Sequence, residues 1–492
     1  MKKKIQLLLK KYNDLPVQAR AGFWFLVCTV IQRSITIITT PIFTRLLTNA
    51  EYGEYGVFIS WMGILSCFVT MYIFSGIYPQ AIVKYNDKRD VYSSGMQGFT
   101  VTLVIFWCVM YYLGKQFWNG LFSMDTWEMT AMFVVMWGNA AFGFWSAEQR
   151  NDYKYKILII VTLAEAILQP VLSIVLLLRT ENKVDGLVCG IAIANIVCYF
   201  PLFIAQMRKG KKFFSGDVWK YSLKLGIPLI PHYLSSVVLN SSDRIMIQRL
   251  VGEGPAGIYN LAYTVSICGT LINQAVLQTI QPWVYQKIKE GKYYDIKKTA
   301  YSALVVIGCV NILVILIAPE LIRVFGPDSY YEAIWVMPPV SLSVYFMFMY
   351  NLFSYFEFYY EKPMYVSAAT FIGAGLNVIL NYIFIQKFGY VAAGYTTLIC
   401  YFAFAVAHYC FMRIICRKEI NGAKIYDLRV IAAISLAVVS AGFLVMLTYN
   451  NTYIRYALFF AVILVCVIKR KTLLNYVMHM MSKKRDNNRC KR

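Results

Sequence analysis

Fourteen stretches of mainly apolar residues, each about the length of a bilayer-crossing helix, account for most of this 492-residue chain. They lie at approximately 21–44, 55–78, 96–114, 127–147, 157–178, 186–207, 225–247, 257–283, 300–319, 333–356, 365–385, 391–412, 430–448 and 452–468. A helix needs about 20 such residues to span the hydrocarbon core. The chain therefore reads as an all-α polytopic membrane protein with about fourteen transmembrane helices. Prolines inside the runs (Pro41, Pro170, Pro228, Pro231, Pro338 and Pro339) are the expected kink sites.

Composition excludes the other classes. Hydrophobic residues make up 59% and charged residues 15%, with a mean hydropathy of +0.54. A soluble domain averages about 45–50% apolar and roughly 25% charged, so this chain could not cover its own surface in water. The 16% aromatic content suits interfacial belts. A net charge of +23 does not imply nucleic acid, because Lys and Arg sit in short clusters between apolar runs. With the N-terminus in the cytoplasm, 38 Lys and Arg fall on the cytoplasmic side and nine on the other, while Arg33 lies inside the first run. That bias predicts an even span count with both termini cytoplasmic. The opening residues read as a retained cytoplasmic start lying on the membrane surface, since the following run is too long for a signal peptide. The 12 cysteines have no paired spacing, and His232, His408 and His479 are far apart. No cofactor or metal is expected.

The chain repeats itself. At an offset of 204, Arg45 matches Arg249, Gly53 matches Gly257, Tyr55 matches Tyr259 and Gly22 matches Gly226. At 208, Thr162 matches Thr370, Gln169 matches Asn377 and Gly186 matches Gly394. Two six-helix halves are expected, at 1–208 and 209–416, followed by two extra helices and a basic cytoplasmic tail at 417–492. Because six is even, the repeat is parallel, an architecture suited to alternating access.

Polar side chains inside the runs mark the candidate site, since a charge at the bilayer centre costs about 2.5–3.5 kcal/mol. Thr29, Arg33, Thr36 and Thr40 share one helical face, as do His232, Ser236, Asn240 and Asp243. Glu165, Gln169, Asn273, Gln274, Gln278 and Asn377 extend the polar set. Hydroxyls and amides suit hydrogen bonding to a sugar and equally serve as glue between helices. Arg33 is either a cavity cation for an anionic headgroup or the partner of Glu165 or Asp243. Arg45 and Arg249 read as interfacial, and Asp243–Arg244 as a local ionic hinge. Glu165 and Asp243 are the candidates for ion or proton coupling. Glu148 and Glu357, near cytoplasmic ends, are expected to be solvated.

TRLLTNAEYGEYGVF after the first run, IPLIPHYLSSVVLNSSDRIMIQRLVGEGPAGIYNLAY across the seventh and APELIRVFGPDSYYEA after the ninth resemble the polysaccharide transporter family. Its members are Wzx-type O-antigen and capsule oligosaccharide flippases of the multidrug/oligosaccharidyl-lipid/polysaccharide (MOP) exporter superfamily. The resemblance covers roughly 15–415, and its motif positions here are Arg45, Gly53, Tyr55, Asp243, Arg244, Arg249, Gly257 and Tyr259. It implies a bacterial plasma-membrane protein that moves undecaprenyl-diphosphate-linked oligosaccharide from the inner to the outer leaflet. It also implies contact with membrane lipids, other polysaccharide-assembly proteins as partners, and H+ or Na+ as the coupling ion. Within the superfamily, a multidrug antiporter and a lipid II flippase are the alternatives. A membrane polysaccharide polymerase is the alternative of another class. No enzyme activity is expected, because no long outer loop carries a nucleophile–base pair.

Overall fold

A computed structural model describes residues 16–468. The expected surface start before residue 16 and the basic tail beyond 468 lie outside the described residues. Among the described residues every regular element is helical. The first unit of contacts ends at Ile245 and the second begins at Met246, so the division falls inside one long helix.

In chain order the helices are α1 (Val17–Leu46), α2 (Asn49–Val69), α3 (Ile73–Gly76), α4 (Tyr78–Lys84), α5 (Arg89–Leu113), α6 (Lys115–Phe122), α7 (Thr126–Asn151), α8 (Tyr155–Leu177), α9 (Lys183–Gly210) and α10 (Gly216–Leu250). They continue as α11 (Glu253–Ile267), α12 (Thr270–Lys289), α13 (Tyr293–Leu316), α14 (Ala318–Phe325), α15 (Met337–Tyr359), α16 (Pro363–Phe388), α17 (Ala392–Glu419), α18 (Leu428–Met446) and α19 (Thr452–Ile468). Each of the fourteen apolar runs falls on one or more of them. By length and apolarity nine described helices can cross a membrane, or ten if the bent pair Asp328–Trp335 and Met337–Tyr359 is one span.

Three runs expected as single spans are broken. The one at 333–356 bends by 50° at Val336, beside the expected kink site Pro338–Pro339, and the other two break away from any expected proline. The run at 55–78 stops at Val69 and resumes at Ile73, because Met71 (φ 51°) and Tyr72 (φ 46°) are left-handed in succession. L-residues resist that conformation by about 1–2 kcal/mol each, so the turn is held by its surroundings. Met71 is buried in a cluster with Ile73, Tyr78, Met96 and Phe144. The run at 257–283 breaks at Cys268–Gly269. Pro41, Pro170, Pro228 and Pro231, in contrast, all sit inside continuous helices.

Helix bounds recur along the chain. The ends of α1 and α10 are 204 residues apart, and α7, α8 and α9 are followed by α15, α16 and α17 at about 208. The connecting turns match in detail. Lys154 N donates to Gln149 O at 2.8 Å, and 208 residues later Lys362 N donates to Glu357 O at 2.8 Å. Tyr153 and Glu361, one residue before each, both have φ 54°.

Helix starts follow from local sequence. Thr48 and Glu51 form a capping box at α2, as do Asp125 and Glu128 at α7. In each, a short polar side chain accepts from the third residue's N–H, and that residue's carboxylate accepts in return. Packing within the first unit is close enough to depend on missing side chains: a Cβ on Gly190 would lie 2.4 Å from the Ser173 backbone, so α8 and α9 approach backbone to backbone.

Candidate functional site

α2, the broken segment after it, α7 and the middle of α10 enclose a cavity of about 1000 Å³ within the first unit. α7 contributes Asn139, Gly143, Ser146 and Arg150, spaced four, three and four, which is one helical face. α10 contributes Ser236, Asn240 and Ser241, and α2 contributes Gly63 and Ser66. The left-handed turn aims Tyr72 into the space, with Thr70, Phe74 and Ser75 beside it. Irregular backbone at membrane depth is tolerated where it lines a cavity, which is where this break lies. Gly143 makes room for Phe74, since a Cβ there would sit 2.4 Å from the Phe74 ring.

Three hydroxyls of the lining are already committed as donors. Ser66 donates to Met62 O (2.7 Å), Thr70 to Ser66 O (2.9 Å) and Ser146 to Gly143 O (3.1 Å). Each therefore keeps its lone pairs for a guest that donates. A sugar is such a guest. The lining contains one cation, Arg150, and no carboxylate. The Arg150 guanidinium is exposed over the Phe25 ring, 5.9 Å from its centroid. Its acidic neighbour is already used: Asp152 pairs with Arg89 at 2.6 Å and Lys154 at 3.0 Å. Partial burial raises the Asp152 carboxyl, but those two cations outweigh it and hold the group below its ordinary range.

The structure gathers only part of the polar set picked from sequence. Ser236 and Asn240 line the cavity, with Asn240 Nδ2 donating to Ser236 O at 2.7 Å. Arg33 and Thr36 are exposed on α1 and absent from the lining, and Thr40 is buried, donating to Thr36 O at 2.8 Å. His232 is half-buried beside Tyr233, and Arg244 donates to Asn240 O at 3.3 Å. Asp243 is buried, while Glu165 and Gln169 are half-buried on α8. In the second unit, Asn273 is buried and donates to Val344 O at 2.9 Å, whereas Gln274 and Gln278 are exposed. Asn377 accepts from Asn381 at 3.1 Å, both fully buried. Of the motif positions, Arg45 and Arg249 are exposed, Gly53, Gly257 and Tyr259 are buried, and Tyr55 is half-buried.

Two expectations are corrected outright. Glu148 and Glu357 are not solvated, at 5% and 0% exposure. Glu148 accepts from Tyr78 (2.8 Å) and Ser93, and Glu357 contacts His408 at 2.8 Å. Arg150 is the cation that sequence reading missed. Its spacing from Asn139, Gly143 and Ser146 carried the signal, but it lies just beyond the apolar run.

The profile of a family described as polysaccharide biosynthesis protein matches residues 19–287, and that of the MatE family matches 228–383. A Haemophilus influenzae protein named Lsg locus putative protein 1 is 24% identical over 222 residues, 42% of this chain and 54% of that protein. The match thus spans about half the length of that relative. Among solved structures, a lipid II flippase MurJ in an inward closed conformation superposes with a TM-score of 0.70 at 15% identity, over 91% of this chain and 99% of that one. An inward-facing multidrug resistance MATE transporter of the MOP superfamily gives 0.62 at 15% identity, covering 80% and 96%. At these identities the likeness shows a shared fold.

Proposed function

The chain belongs to the polysaccharide biosynthesis protein family, and on that premise we propose that it is a lipid-linked oligosaccharide flippase. It carries undecaprenyl-diphosphate-linked repeat units from the inner to the outer leaflet of the bacterial plasma membrane by alternating access, for capsule, O-antigen or exopolysaccharide synthesis. The observation that carries this reading is the lining of the first unit's cavity, which joins hydroxyls, amides and aromatic rings to one guanidinium. About 1000 Å³ lies at the upper end of small-ligand pockets and holds several sugar rings. Serine and threonine lone pairs accept from sugar hydroxyls, and Asn139, Asn151 and Asn240 supply amides. Tyr72, Phe74 and Phe142 offer ring faces against which the apolar face of a sugar can lie. Arg150 meets the diphosphate. One charge pair at 4 Å gains about 4 kcal/mol at an effective dielectric of 20, and a guanidinium can hold two phosphate oxygens at once.

With the N-terminus cytoplasmic, the Arg150 end of α7 lies on the side where the lipid-linked unit is made. A cation-coupled drug antiporter would place carboxylates in its cavity to meet cationic guests, and this lining has none. A lipid II flippase shares the fold, and the glycan separates it from the reading preferred here.

Complementation tests the proposal. In a strain lacking its own capsule flippase, the chain should restore surface polysaccharide and clear accumulated lipid-linked repeat units. Restored drug efflux with no change in those lipids would overturn it.

A further inference from the structure

Glu357 on α15 and His408 on α17 form a carboxylate–imidazole pair, Oε1 to Nδ1 at 2.8 Å, with both side chains wholly inaccessible. The imidazole is enclosed by rings: Tyr350 stacks on it at 5.3 Å, and Phe404 meets it edge-on at 4.5 Å. Glu357 Oε2 and His408 Nε2 have no hydrogen-bond partner among the described residues. Several other titratable groups on the neighbouring elements are engaged elsewhere. Lys362 pairs with Glu419 at 3.6 Å, Arg413 donates to Ala423 O, and Tyr355 donates to Leu277 O. The Tyr426 hydroxyl, whose ring packs on Phe353 and Phe356, is itself unpartnered and does not bond to the pair.

Glu148, a buried carboxylate of the first unit, is more fully paired, since it is met by two hydroxyls. Moreover, the residues 208 positions before Glu357 and His408 are Gln149 and Phe200, which carry no titratable group. Burying an ionised group without full pairing is costly. The second unit buries a titratable pair at a place where the residues at the repeat offset carry none.

We propose that Glu357 and His408 form a proton-binding site inside the second unit. With neutral imidazole the pair bears one net negative charge. Uptake of one proton, which completes the imidazole's two N–H bonds, makes a carboxylate–imidazolium pair of zero net charge. Because the two groups sit on different helices, gain or loss of that proton alters the attraction between α15 and α17. The site takes a proton as its ligand, and its existence does not depend on which substrate the chain moves.

Proton uptake by the purified full-length protein tests this directly. In weakly buffered detergent with a pH-indicator dye, acidifying from about pH 8 to about pH 5.5 crosses the range in which histidine exchanges its proton. The double variant Glu357→Gln, His408→Gln should take up about one proton per chain fewer than the parent. Equal uptake would overturn the proposal. Should the double variant fail to fold, ring-15N spectra of the His232→Gln, His479→Gln chain leave His408 as the one histidine signal. A change of protonation state across that range supports the site, and a single unvarying state overturns it. Both readouts are made without substrate, so they fail separately from the flippase reading.

Discussion

α7 and α15 are repeat counterparts, yet one borders an open chamber and the other is packed shut. At the 208-residue offset, Ala147 becomes Tyr355, Gly143 becomes Asn351, Arg150 becomes Phe358 and Asn151 becomes Tyr359. Tyr355 is buried, donates to Leu277 O at 3.2 Å, and meets Tyr285 with ring centroids 6.1 Å apart; Tyr359 meets the same ring at 5.6 Å. The two helices thus share their bounds and turns, and part of the chamber's room comes from small and polar residues on α7 where α15 carries tyrosines. Transplanting the filling should therefore close it. Ala147→Tyr is expected to abolish clearance of lipid-linked repeat units, at least about a hundredfold, while the protein still purifies as a monodisperse species. The fold tolerates a tyrosine at the equivalent place, so lost transport with retained folding is the signature. Full transport by Ala147→Tyr would mean that the guest does not use the chamber.

Charge gives the next contrast. Arg150→Ala is expected to lower transport about tenfold, which corresponds to roughly 1.4 kcal/mol. That is well under the Coulomb figure, because water shares the exposed guanidinium. Arg150→Lys should recover part of the loss, since it keeps the charge and loses the planar fork. Phe358→Ala, at the counterpart position in the second unit, should leave transport within about twofold. Equal losses in the two units would remove the distinction between them.

Sequence carried the fold much further than the site. Run length and the two offsets are one-dimensional signals, and each fourteenth of the pattern met a helix or a helix pair. The break at Met71–Tyr72 was illegible because nothing there is Gly or Pro. Its left-handed turn is held by tertiary packing against Phe144 and Tyr233, which local propensity does not encode. Polar stripes identified helix faces without saying what each face meets. Ser236 and Asn240 face the chamber, whereas the same types of side chain at Thr40 and Asn273 are buried outside its lining. Glu148 and Glu357 show a related limit: nearness to a run's end does not imply exposure when the partners lie far away in sequence.

The extra helix pair supplies a smaller test. Arg455, 2% exposed on α19, clasps Glu320 of α14 through both guanidinium nitrogens and donates to Leu316 O at 3.1 Å. Removing one partner of a fully buried pair costs roughly 3–5 kcal/mol. Glu320 keeps 31% side-chain exposure, so Arg455→Met should cost about 2 kcal/mol after allowing for solvent screening. The expected result is a lower melting midpoint in detergent with transport retained. An unchanged midpoint would show that the pair docks α19 without stabilising it.

The smallest effect separates the charged clamps at helix ends. In the first unit Arg89 holds Asp152 across α5 and α7, whereas in the second Lys287 holds Glu290 at 2.9 Å and Asp295 at 3.2 Å. Hydrogen bonds from Lys287 and Lys292 pull the Glu290 carboxyl down to about 2, against about 4.3 in an unfolded chain. A carboxyl lowered by folding adds stability above its unfolded value and loses that contribution as pH falls toward its folded value. Wild-type protein should therefore lose a small part of its melting midpoint between about pH 4.3 and about pH 2, in excess of the loss shown by Glu290→Gln. The group is exposed and salt screens it, so the excess should shrink in high salt. If Glu290→Gln followed the wild-type curve throughout, Asp295 alone would be holding Lys287, and the second unit's clamp would reduce to a single pair like that of Arg89 and Asp152.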